Sequence, residues 1–226
     1  MVTTFSGLPA QPPKAGPALG GHWLRHGDTG LVITAYVQQS GAARWVLQVT
    51  VLSFVVGEAV MTLRRRRGAH RVSIPAEMVL RAVLVGAVVW VAAARALAPA
   101  AVITGGVVIF VVGALCAWLG LLLRWWSALT LGRLFTTVLT VESDQPVIES
   151  GPYRWLRHPS YLGLLLAFAG CGVMVGNWLG LFGSVILVLA ALVFRIRVEE
   201  HALAAALGER YLAFAGHRAR LVPFVW

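Results

Sequence analysis

Five stretches of nearly unbroken apolar residues divide this chain, and the polar residues collect between them. Residues 43–63, 76–98 and 101–123 each meet the ~20 residues that a helix needs to cross a bilayer. Residues 160–175 and 178–194 are shorter and are joined by Gly176-Asn177, a turn signal, so they predict a helical hairpin. Ahead of the first stretch, residues 1–42 are broken by runs such as Ala10-Gln-Pro-Pro-Lys-Ala-Gly-Pro17 and read as a flexible or surface-lying tail. Past the last, residues 198–226 alternate charged and apolar positions around Gly208 and read as an amphipathic surface segment. The expected fold is therefore all-α and integral to the membrane. It has about five transmembrane helices, ending in the hairpin and an amphipathic tail. Three parts follow: a tail at 1–42, three spans at 43–126, and a C-terminal part at 127–226.

Composition supports a membrane solvent. The chain is 58% hydrophobic and 12% charged, about half the charged share of a soluble domain. No basic n-region followed by an apolar h-region opens the chain, so a cleavable signal peptide is not expected. Cys116 and Cys171 sit inside apolar runs without ligand spacing, and no metal site is expected. A net charge of +10 would suit nucleic acid, but the arginines lie beside apolar segments, where lipid headgroups and topology explain them better. Eighteen of the nineteen basic residues are arginine, which points to a GC-rich bacterial genome and to the inner membrane.

Charges near the spans have mostly plain readings. Glu58 is expected to meet the following Arg64–67 run, and Arg81 and Arg95 can snorkel to the headgroups. Arg124-Trp-Trp126 reads as an interfacial anchor. With five spans, the arginines at 64–71, 124–157 and 195–220 fall on one side. The positive-inside rule makes that side cytoplasmic and puts the tail outside.

Two polar islands land on that same face. The first, Gly151-Pro-Tyr-Arg-Trp-Leu-Arg-His-Pro-Ser-Tyr-Leu-Gly163, carries His158-Pro159 where the fourth helix should begin. Open N–H groups near Ser160 and Tyr161 can hold a carboxylate, and Tyr153, Trp155 and Tyr161 offer flat faces to a purine or a cation. The second, Phe194-Arg-Ile-Arg-Val-Glu-Glu-His201, sets Arg195 with Glu199, and Arg197 with His201, on shared helix faces. From spacing alone, Arg195–Glu199 is equally a salt bridge at a helix end.

Taken together, Gly151-Pro-Tyr-x-x-x-Arg-His-Pro-x-Tyr-x-Gly163, Arg195-x-x-x-Glu199-Glu200, Leu203, Gly208-x-x-Tyr211 and Arg220-x-x-Pro223 resemble the isoprenylcysteine carboxyl methyltransferase family. Phospholipid N-methyltransferases share much of the pattern. The resemblance covers roughly residues 130–226. It implies S-adenosylmethionine as cofactor on a helical membrane fold, and an acceptor that is lipophilic or prenylated and enters from the bilayer. It assigns the cofactor to Tyr153, His158, Pro159, Ser160, Tyr161, Glu199 and Glu200, with Gln145, Val147 and Ile148 contributing backbone. Arg195 matches the position that meets the acceptor carboxylate, so Arg195 and Glu199 are the expected catalytic pair.

Such a carboxylate is ionised at neutral pH and needs no general base; an amine acceptor would need one from Glu199, Glu200 or His201. An amine N-methyltransferase is therefore the first alternative. A steroid-reductase-like NADPH enzyme is the second, disfavoured because a reductase should recognise phosphates. A transporter would carry its polar residues at mid-span instead of at one face.

Overall fold

The computed structural model describes residues 35–63, 74–134 and 146–222, all within one compact unit, Thr34–Trp226. A short helix α1 (Tyr36–Gln39) leads into α2 (Gly41–Leu63), α3 (Ile74–Leu97) and α4 (Gly106–Leu131). After a 3₁₀ turn at Gly151–Arg154 come α5 (Pro159–Val175), α6 (Trp178–Leu207) and α7 (Glu209–Gly216). Four of these, α2, α3, α4 and α6, are long and apolar enough to cross a membrane; α5 is apolar but has 17 residues. The membrane fold and the C-terminal hairpin read from the sequence are thereby borne out. Tyr36–Gln39, assigned to the tail, instead form α1, and Ala35 and Val37 are buried near Phe110 and Met174. Residues 1–34 lie outside the described ones.

The tightest pairing joins α4 to α5. A Cβ added at Gly120 would lie 2.5 Å from the Gly163 carbonyl oxygen, and one at Gly163 2.6 Å from that of Gly120. Gly113 and Gly170 repeat the arrangement one heptad along. Small residues substitute for the hydrophobic effect here, because lipid tails are as apolar as leucine and only close backbone approach distinguishes helix from lipid. The spacings singled out from the sequence, Gly172–Gly176 and Gly176–Gly180, do less: Gly172 meets Leu181 across the hairpin, while Gly176 forms the turn. On the other side, Leu80 and Ala87 of α3, Leu164 and Phe168 of α5, and Val188, Ala191 and Leu192 of α6 form one buried cluster.

The hairpin turn is held by Asn177. Its side-chain oxygen accepts from the Gly180 N–H at 3.0 Å, capping α6, and its amide donates to the Ala98 carbonyl at 2.9 Å. Gly176 takes the left-handed conformation that ends α5. Arg95, expected to snorkel, bonds Gln38 and the Val175 carbonyl at this same end.

At the other end α6 overruns the bilayer. Thirty residues make about 45 Å of helix against ~30 Å of hydrocarbon. The segment after Phe194, read as separate from the span, is thus the same helix continued. It stops at Gly208, whose φ of 56° suits glycine.

Candidate active site

Pro159 opens α5 with His158 as its N-cap residue. The Tyr161 N–H is already bonded to the His158 carbonyl at 3.0 Å, which leaves the Ser160 N–H as the candidate for an anion. The His158 ring stacks on Tyr161, centroids 5.4 Å apart and planes 11° from parallel. The C-terminal segment runs beside this start: Arg157 and His158 donate their N–H groups to the Ala219 and Arg220 carbonyls.

From α6 comes the partner of Tyr161. Arg195 Nε donates to the Tyr161 hydroxyl at 2.7 Å, and that hydroxyl donates to Glu199 Oε2 at 2.6 Å. The spacing of Arg195 and Glu199 left a simple salt bridge open; the Tyr161 hydroxyl joins the two side chains, contacting both. Arg195 is 2% exposed although it carries a full charge, a placement that is costly unless the charge is satisfied.

Glu200, the next residue, faces another way. Its carboxylate takes Arg157 Nη1 at 3.1 Å and Arg220 Nε at 2.9 Å, with His158 Nε2 at 3.4 Å. It fastens the C-terminal segment to the start of α5.

A second charged group approaches from α2 and α4. Arg124, 4% exposed, gives two nitrogens to the Glu58 carboxylate and Nη1 to the Ser160 hydroxyl at 2.9 Å. Arg64–67, the partners expected for Glu58, lie outside the described residues; among those described, Glu58 pairs with Arg124 across the helices. Arg124 is a buried bridge within α4, which runs on to Leu131, and not an interfacial anchor. In a low-dielectric interior two charges are best satisfied by one another.

These groups border one cavity of about 750 Å³. Its polar end takes in Tyr153, His158, Ser160, Tyr161, Arg195 and Glu199. Its other end is a groove between α2 and α3 lined by Phe54, Val55, Leu84, Val85, Val88 and Val89. Val85 and Val89 are each exposed by more than half, so the groove opens sideways from the bundle, toward lipid. Tyr211 of α7 is buried at the polar end, and its hydroxyl finds no hydrogen-bond partner among the described residues. Burial and the Glu200 and Glu199 charges push its ionisation up, so it stays a neutral donor. Tyr153 is likewise held neutral, chiefly by burial.

Comparison with known proteins gives this geometry a context. Residues 111–205 match the isoprenylcysteine carboxyl methyltransferase family. The resemblance read from the motifs is thereby borne out. A protein-S-isoprenylcysteine O-methyltransferase B of Arabidopsis thaliana is 34% identical over 109 residues, 47% of this chain and 55% of that one. A protein-S-isoprenylcysteine O-methyltransferase of Saccharomyces cerevisiae is 31% identical over 117 residues, 51% of this chain and 49% of that one. The chain thus spans about half the length of the curated relatives it matches. Among solved structures, a eukaryotic intramembrane Ras methyltransferase, isoprenylcysteine carboxyl methyltransferase, superposes with a TM-score of 0.53 at 25% identity. That match covers 64% of this chain and 52% of the other.

Of the residues expected in the site, Val147, Ile148, Tyr153, His158, Ser160, Tyr161, Arg195 and Glu199 border the cavity together. Pro159 is fully buried at the helix start and shapes it without lining the cavity. Glu200 faces the arginines and stands outside the lining. Gln145 lies outside the described residues. Trp155 is 58% exposed beneath the Arg154 guanidinium, and Arg197 and His201 are exposed. Glu58, Arg124 and Tyr211 were missed as site residues. For Glu58 and Arg124 the signal was a charge within an apolar helix or at the edge of its apolar run; for Tyr211 it was a place in the family pattern.

Proposed function

We propose that this protein is an S-adenosylmethionine-dependent methyltransferase that O-methylates the carboxylate of an isoprenylcysteine-like lipophilic acceptor. The observation that carries the reading is the continuity of the cavity. A buried, charged end holding Arg195, Tyr161 and Glu199 runs directly into an apolar groove open toward lipid.

The residues present fit the cofactor. The Ser160 N–H at the start of α5 suits its amino-acid carboxylate, and the His158–Tyr161 stack and Tyr153 suit flat or cationic groups. Glu199 supplies the negative charge a sulfonium requires. The Tyr211 hydroxyl, neutral and buried at the same end, is a further donor. When bound, S-adenosylmethionine supplies an electrophilic methyl group.

The chain's own residues then position and exclude. Arg195 receives the acceptor carboxylate in a planar fork whose orientation Tyr161 fixes. No proton has to be removed, so the residues need only hold the oxygen in line and keep water out. The apolar groove receives the acceptor's tail from the bilayer. The arginine distribution supports a site on the cytoplasmic face of a bacterial inner membrane.

Calorimetry in detergent with S-adenosylhomocysteine beside NADPH tests the reading. Saturable binding of the first alone is expected; binding of NADPH alone would reverse it in favour of a reductase.

A further inference from the structure

Glu58 and Arg124 stand apart from the motif residues and outside any role given so far. We propose that Glu58 is a positioning residue for the cofactor half of the site, acting through Arg124 on the first turn of α5. The inference rests on the reading under Proposed function.

Arg124 holds Ser160 at two points. Its Nη1 reaches both the hydroxyl of Ser160, at 2.9 Å, and the Ser160 carbonyl, at 3.3 Å. Ser160 is the second residue of α5, beside the N–H proposed for the cofactor carboxylate. Fixing the other two nitrogens keeps the planar guanidinium turned toward both acceptors. Glu58 fixes them, taking Nε and Nη2 through its two carboxylate oxygens. The fork leaves Arg124 one rotational setting, and Ser160 sits where that setting points.

Charge gives the second reason. Without Glu58, the cation of Arg124 would stand uncompensated in a site meant to balance one carboxylate against one sulfonium. It would draw the cofactor's carboxylate away from the start of α5 and leave Ser160 unanchored. The Arg124 side chain is 5% exposed, so water does not stand in for the Glu58 carboxylate at the guanidinium. Its helix is also tied to α4 and α5 by contacts without charge: Thr50 to Trp118, Phe54 to Phe168, Gly57 against Trp125, and Ala43 and Leu47 in the cluster with Phe110 and Ala117. These apolar and neutral contacts keep α2 in place when the charge is removed, so the two effects can be separated.

The test compares Glu58→Gln, Ser160→Ala and the double variant with the unmodified chain in detergent. Affinity for S-adenosylhomocysteine is measured by calorimetry, and KM for an S-prenylated cysteine by methyl transfer. Glu58→Gln is expected to weaken S-adenosylhomocysteine about tenfold, the size of one lost charge-assisted hydrogen bond. Acceptor KM should stay within about twofold. The double variant should bind no worse than the weaker single, because both act along one chain of contacts. Multiplied losses, unchanged S-adenosylhomocysteine affinity, or a rise confined to acceptor KM would each overturn the proposal. Should Glu58→Gln not yield folded protein, Arg124→Lys answers the same question. It keeps the charge but cannot hold Glu58 and Ser160 together, so the same cofactor-selective loss is expected, and its absence refutes the idea. If the unmodified chain itself does not bind S-adenosylhomocysteine, it is the proposed function that fails.

Discussion

The Tyr161 hydroxyl accepts a hydrogen bond from Arg195 Nε at 2.7 Å, although the two belong to different helices 34 positions apart. The same hydroxyl spends its proton on Glu199, so one phenol aligns a cation and an anion of the same helix. Tyr161→Phe keeps the stack on His158 and removes the alignment. Methyl transfer to a prenylcysteine should fall roughly 10–100-fold while S-adenosylhomocysteine affinity falls by less than about tenfold, read by radiolabel transfer and calorimetry. Equal losses in both would make the residue a cofactor contact alone.

Arg195→Lys separates charge from geometry. Lysine keeps the positive end but not the two-pronged face, and a misplacement of ~1 Å costs about a hundredfold in rate. Turnover of a carboxylate acceptor should drop on that scale with cofactor binding retained. A phosphate-bearing amine acceptor would suffer less, because lysine meets phosphate as a point charge. Near-normal turnover of the carboxylate acceptor would remove Arg195 from the reacting centre.

Glu199 and Glu200 are adjacent and should fail differently. Glu200→Ala strips Arg157 and Arg220 of a shared partner, at about 1.5–3 kcal/mol, and should free the segment around Ala219 to proteolysis. Glu199→Ala should weaken S-adenosylmethionine, whose sulfonium it faces, while leaving that segment protected. Identical proteolysis patterns for the two variants would contradict the division of labour.

Gly120→Ala probes the contact that sets α5. The new methyl meets the Gly163 carbonyl, and overpacking of this kind costs typically ~1–3 kcal/mol. A lower unfolding midpoint in detergent and weaker S-adenosylhomocysteine binding should appear together, since α5 carries the site at its start. An unchanged midpoint would show that the helices can part without cost.

Topology is open to labelling. With Cys116 and Cys171 replaced, a cysteine at the exposed Ala213 should resist an impermeant reagent applied from outside intact cells, and one at the exposed Ala100 should react. The reverse pattern would move the site to the other face of the membrane.

What could be read beforehand follows the range of the interactions. Gly176-Asn177, His158-Pro159 and the i, i+4 pair Arg195–Glu199 are local in sequence, so turn chemistry, helix starts and helix periodicity expose them. The Glu58–Arg124 pair spans 66 residues, and nothing in the neighbourhood of either names the other, whereas Arg64–67 lay close at hand. The same holds for Gly113 and Gly120 against Gly163 and Gly170: each pair is seven apart on its own helix, and only the packing shows that they face each other. Glu200 faces Arg157 and Arg220 and Glu199 faces the cavity because on a helix successive side chains point about 100° apart, a direction that the motif does not spell out.

Because α6 runs unbroken from Trp178 to Leu207, the same rod that spans the lipid also carries Arg195 and Glu199. Its lower end is pinned at Asn177, and Arg195 stands about 27 Å along it. A change of ~5° in the tilt of such a rod moves that arginine by ~2 Å, and tilt is how helices answer a bilayer of the wrong thickness. The acyl length of the surrounding phospholipids thereby becomes a control on where Arg195 stands, and the protein a gauge of the membrane around it.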